Sequence, residues 1–169
     1  MSSTVLPLDN WVVADLSTGI AGAYCTKILA DGGADVVKIE APEGDPLRRW
    51  SASGAPVPAD VDGALFRFLS AAKRSVVAAA DDAGLRSVHD LLERADVAIW
   101  SPGSPLAGHG ELTAARILAD HPHLTLTTIT PFGLEGPWRD RPATELTLQA
   151  WSGAIIGLGR ARGPPARTG

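Results

Sequence analysis

The residues best placed for chemistry form a short run, Ser17-Thr18-Gly19-Ile20-Ala21-Gly22, directly after the apolar segment Val12 to Leu16. Glycines at such a junction let a ligand approach the backbone, and the start of a helix favours negative charge. The spacing keeps two of the three glycines of the dinucleotide pattern G-x-G-x-x-G, with serine in the first place. Glu40 closes the next apolar segment, where an acid that holds a ribose would stand. Two readings stay open. The run is a cradle for a phosphate-bearing ligand, NAD being one, or its glycines serve only a tight turn and close helix packing.

Other candidates divide in the same way. Arg48, Arg49, Lys73 and Arg74 are paired cations suited either to solvated surface or to docking the phosphates of a nucleotide-like cofactor. Cys25 sits with Tyr24 and Ile28 on what reads as an apolar helix face, which predicts a buried, inert thiol rather than a nucleophile. His89, His109, His121 and His123 show no metal spacing on one helix face, and no metal site is expected. His109, between Gly108 and Gly110 beyond a strand end, is kept as a site candidate. Glu145 opens a helix, where a carboxylate either complements the dipole or serves an active site as a neighbour.

The elements that must position these residues alternate. Strands are predicted at Val12 to Leu16, Asp35 to Glu40, Val76 to Ala79, Asp96 to Trp100 and Leu124 to Thr130. Helices are predicted from about Ala23 to Asp31, Gly63 to Ala72, Asp81 to Arg94, Glu111 to Asp120 and Thr144 to Ser152. Ala41 to Asp60 and Pro131 to Arg141 read as loops. This order predicts an α/β fold, a Rossmann-like open and mostly parallel sheet with helices on both faces. Its ligands would bind at the carboxyl ends of the strands, in the loops after Leu16, Glu40, Trp100 and Thr130. Residues 1–153 are expected to form this domain portion, and 154–169 a Gly/Arg/Pro-rich segment.

Composition narrows the class. With 45% hydrophobic and 20% charged residues the chain has the make-up of a folded globular protein rather than a disordered one. A net charge of −4 argues against a nucleic-acid partner, which would call for a basic excess. The single cysteine excludes an internal disulfide and suits the cytoplasm. Met1 to Leu8 lack the basic and apolar regions of a secretory signal, and no apolar run is long enough to cross a membrane.

Several segments together resemble the class III CoA-transferases, the carnitine and formyl-CoA transferase family that also holds the α-methylacyl-CoA racemases. They are Val13-Ala14-Asp15-Leu16-Ser17 with Ala21-Gly22; Leu29-Ala30-Asp31-x-Gly33 through Glu40; Lys73-Arg74-Ser75-Val76; and Ala95-Asp96-Val97. Phe132-Gly133-x-x-Gly136-Pro137-x-x-Asp140-Arg141-Pro142-Ala143 and Gln149-Ala150-x-Ser152-Gly153 complete the series in family order.

The resemblance implies the amino-terminal part of a large domain that holds CoA or an acyl-CoA as substrate. It implies a carboxylic acid acceptor and long chains interlocked as a homodimer; positions where this chain lacks the family's cations would suit instead the non-catalytic half of a tandem protein. Thr18, Gly19, Ile20 and Ala21 match the loop lying against CoA. Ser101, Pro102 and Gly103 take the place of a Glu-Asn-Phe-x-Pro-Gly loop, and His109 stands where an arginine for a phosphate is frequent. Ala41 and Asp81 also stand where the family often has cations. In the family an aspartate attacks the acyl-CoA thioester, and the enzyme-bound anhydride then becomes an aspartyl-CoA thioester. The racemases use the same region for proton removal. That carboxylate would follow Gly163-Pro164-Pro165 and fall a few residues beyond Gly169, so no catalytic residue is assigned here and this chain alone is not expected to transfer CoA. Glu145 aligns with an active-site neighbour.

Overall fold

The computed structural model describes residues 5–155. Chain contacts divide it into two units, residues 1–129 and 130–169.

The first unit is built on strands β1 (Val12–Leu16), β2 (Asp35–Glu40), β3 (Arg74–Val77), β4 (Val97–Trp100) and β5 (Thr125–Thr128). All neighbours pair in parallel, in the order β3-β2-β1-β4-β5. This is the expected α/β sheet, and it is parallel throughout. The central strands are mostly apolar because both of their faces are covered, with Asp15, Lys38 and Glu40 as buried exceptions. Alternation sorts them. Val13, Val36, Val97 and Ile99 meet Ala30 and Leu29 of α1 (Gly19–Asp31) on one side. Ala14, Leu16, Ile39, Ala98 and Trp100 meet Leu85, Val88 and Leu92 of α3 (Asp82–Leu92) and Ile117 of α4 (Ala114–Asp120) on the other. Helices therefore lie on both faces, and α2 (Ala64–Leu69) adds Phe66 and Leu69 to a third, smaller cluster with Ala23 and Leu47.

The borders differ from expectation for identifiable reasons. Helix α1 begins at Gly19 rather than Ala23, so most of the expected glycine loop is the first helical turn. Strand β3 starts at Arg74, two residues early, because its ladder runs from Val37↔Arg74 to Glu40↔Val77. The helix expected from Glu111 is split by Thr113, whose side chain accepts from Arg116 N and so starts α4 afresh. Helix α2 stops at Leu69, shortly before Ala72 takes φ of 65°. Asp81 caps α3 as expected, accepting from Gly84 N at 2.7 Å.

The second unit contains α5 (Glu145–Trp151), capped by Thr144 and Thr147 in a reciprocal box. Gly163-Pro164-Pro165 lies outside the described residues.

Candidate functional site

The strand order reverses between β1 and β4, each followed by a connection on the opposite side, and open α/β sheets bind ligands at that crevice. The two loops there meet directly. Thr18 N donates to the buried Ser101 Oγ at 3.0 Å. A Cβ on Gly103 would come 3.0 Å from Thr18 Oγ1, so the second loop passes close over the first. Thr18 occupies the N-cap of α1 without using its side chain as a cap, and Gly19 holds φ of 82°. No acidic side chain lies in the first turn of α1, which leaves the turn of Gly19, Ile20 and Ala21 to favour an outside anion. Thr18, Gly19, Ile20, Ala21, Ser101, Pro102 and Gly103 are thus gathered at one switch point. His109 caps a 3-10 turn at Gly110–Leu112 in the same long loop, with Nδ1 buried and unpartnered. The bridge between the two loops runs through Thr18 and Ser101, not through His109.

Beneath this site lies a set of buried ions that fixes its backbone. Asp15 is fully buried on β1 and accepts from Ser17 N at 3.0 Å, Ser17 Oγ at 2.5 Å and Thr26 Oγ1 at 2.7 Å. Lys73 Nζ stands 4.0 Å from Asp15 and donates to Ala23 O and Thr26 Oγ1. Burial lowers its pKa to about 8, against the pull of Asp15. Lys38 Nζ donates to Ser17 O at 2.9 Å and pairs with Asp45 at 2.8 Å. The N–H, hydroxyl and carbonyl of Ser17 are therefore all tied from below. The serine that replaces the first glycine of the fingerprint has a physical role too. Its Oγ lies where a Cβ on Gly22 would be, 1.9 Å away, so Gly22 makes room for Ser17.

Glu40 is not free to hold a ribose. Its carboxylate accepts from Arg48 Nε and Nη2, both at 2.7 Å, from Ser75 Oγ at 2.5 Å and from Asp45 N at 2.9 Å. Burial raises its pKa, but these hydrogen bonds outweigh burial and hold it down at about 2. The other flagged cations are engaged as well. Arg48 also reaches Asp62, Arg49 donates to the carbonyls of Pro58, Ala59 and Val61, and Arg74 pairs with Asp35. Neither of the two sequence readings of these cations holds for Arg48 or Lys73. They are structural ions.

Cys25 is half-buried among Leu8 and Leu29, and burial, then Asp15, pushes its thiol up in pKa. Its expected companions Tyr24 and Ile28 instead face solvent, because α1 turns only part of its apolar surface to the sheet. His89 Nδ1 lies 2.9 Å from Nε2 of the buried His121, joining α3 to the end of α4. Glu145 accepts from Gln149 within α5. Sequence reasoning marked Lys73 only as a surface or phosphate-docking cation and missed its buried companions Asp15, Lys38 and Asp45. Their signal was present: a carboxylate and an ammonium inside strands otherwise made of valine, isoleucine and leucine need buried partners.

Comparison with known proteins adds independent findings. A family model described as CoA-transferase family III matches residues 8–169. A formyl-CoA:oxalate CoA-transferase of Streptomyces avermitilis is 34% identical over 163 residues, covering 96% of this chain and 39% of that protein. A succinyl-CoA:mesaconate CoA-transferase of Haloarcula hispanica is 33% identical over 171 residues, covering 96% of this chain and 42% of that protein. The crystal structure of a CAIB/BAIF family protein from Brucella suis superposes with a TM-score of 0.85 at 31% identity, covering 97% of this chain and 44% of the other. The chain thus spans about two fifths of the length of the relatives it matches.

Proposed function

The chain belongs to CoA-transferase family III, and on that premise we propose that the loops after β1 and β4 hold CoA within an enzyme that moves CoA from an acyl-CoA to a carboxylic acid. The observation that carries this reading is the hydrogen bond from Thr18 N to Ser101 Oγ, which joins the two loops at the switch point. Backbone from Thr18 to Ala21 would face the diphosphate, with the start of α1 adding its dipole. Ser101, Pro102 and Gly103 would close over the other side, Gly103 because it admits the close approach to Thr18.

The chemistry in such an enzyme falls to a carboxylate nucleophile. It attacks the thioester carbonyl, expels CoA thiolate and leaves a mixed anhydride; the thiolate returns to the enzyme acyl carbon and releases the first acid. The acceptor carboxylate then repeats the exchange in reverse and leaves as the new CoA ester. This chain's described residues contribute binding and orientation to that cycle. Relatives named for oxalate and mesaconate make a dicarboxylic acid the favoured class of acceptor. Association with a second copy and a place in the cytoplasm belong to the same proposal.

A dinucleotide module is disfavoured because Glu40, its ribose ligand, has both oxygens occupied. Calorimetric titration of the chain with CoA and with NAD separates the two readings. Binding of CoA with indifference to NAD is expected; the reverse overturns the proposal.

A further inference from the structure

Arg141 differs from every other cation singled out above. Its guanidinium lies 5.3 Å from the ring of Trp138 and 5.0 Å from that of Trp151. The two indoles touch, with centroids 4.6 Å apart and planes inclined by 59°, and Phe132 stands edge-on to Trp138 at 6.0 Å. The support is fixed locally: Arg141 N donates to Trp138 O at 2.9 Å, and Trp151 ends the capped helix α5. Yet no oxygen among the described residues accepts from the guanidinium, which lies against these two rings on an exposed residue. The nearest acids in sequence are already engaged, Asp140 by Arg139 and Glu145 by Gln149.

A planar fork of N–H donors held against apolar walls matches a carboxylate in two parallel hydrogen bonds, while the walls suit the carbon chain behind it. A second pairing of this kind, Arg48 on Glu40, shows the geometry satisfied within the same chain: Arg48 also lies over an aromatic ring, 4.1 Å from that of Phe66. We propose that Arg141, Trp138 and Trp151 form a binding site for the carboxylate of a small organic acid. Resting on the reading of the previous section, a dicarboxylic acid is the class of ligand to test there.

Two of the five tryptophans line this site, so emission reports on it. Titration of the chain with glutarate at low salt is expected to give a saturable change. Arg141→Gln should weaken it on the order of tenfold or more, and Arg141→Lys, which keeps the charge but loses the fork, by less. Far-UV circular dichroism checks that each variant folds; should Arg141→Gln fail, an unaltered affinity in Arg141→Lys and in Trp151→Leu overturns the site. So does an absence of glutarate binding in the parent, or saturation by inorganic phosphate at lower concentration than glutarate. Failure of the CoA reading looks different: glutarate binds and depends on Arg141, but CoA does not bind.

Discussion

Four cations of the sheet unit and Arg141 of the second unit meet opposite fates. Lys38, Arg48, Lys73 and Arg74 are each matched to a carboxylate, three of those carboxylates almost wholly out of water. Arg141 has a comparable aromatic support and no carboxylate at all among the described residues. The difference teaches how to separate structural charge from charge kept for a ligand. A cation whose donors are spent on its own chain shapes a site; one set against aromatic rings with no carboxylate on it can take a partner from outside.

The most damaging way to break the comparison is to remove a spent cation. Arg48→Ala leaves the buried Glu40 carboxylate without its fork, and breaking such a pair costs about 3–5 kcal/mol. Urea denaturation measures it, and a loss near zero would make Arg48 a surface residue. The same pair can be read through pH. Because the folded pKa of Glu40 is depressed to about 2, its stabilisation is complete above its unfolded value, near 4.5, and is lost as pH falls from there toward 2. Thermal midpoints across that window should fall in the parent and fall less in Arg48→Ala.

A steric change comes next. Gly22→Ala should destabilise by about 1–3 kcal/mol because its Cβ collides with Ser17 Oγ. Adding Ser17→Gly should recover much of that loss, and a purely additive double variant would contradict the account. The mildest change is Ser101→Ala. It removes one hydrogen bond to Thr18 N, costs about 1 kcal/mol, and should weaken CoA several-fold while leaving glutarate binding alone.

Much of the fold was legible because parallel strands covered on both faces are mostly apolar, as Val12–Leu16 and Val97–Trp100 are and as Val36, Val37 and Ile39 make the interior of Asp35–Glu40. The loops that meet at the switch point were legible for the same reason: the alternation of elements places strand ends, and strand ends place ligands. Borders were less so. Where β3 begins is decided by its register with β2, a contact between residues far apart in sequence. The roles of the cations were illegible for a related reason. Arg48 and Glu40 are eight residues apart, but Lys73 and Asp15 are brought together only by the fold. Composition shows that charges exist and says nothing of which are already paired. Arg141 went unmarked as a site because only the rings of Trp138 and Trp151, placed around it by the turn and by α5, give it meaning.

The central claim is that the turn after β1 and the loop after β4 hold CoA together. Backbone amide shifts of isotope-labelled protein, followed through a CoA titration, test it most directly. The account predicts that Thr18, Gly19, Ile20 and Ala21 move in step with Ser101 and Gly103, with one affinity for both groups. Shifts confined to one loop, or to neither while CoA binds elsewhere, would contradict it.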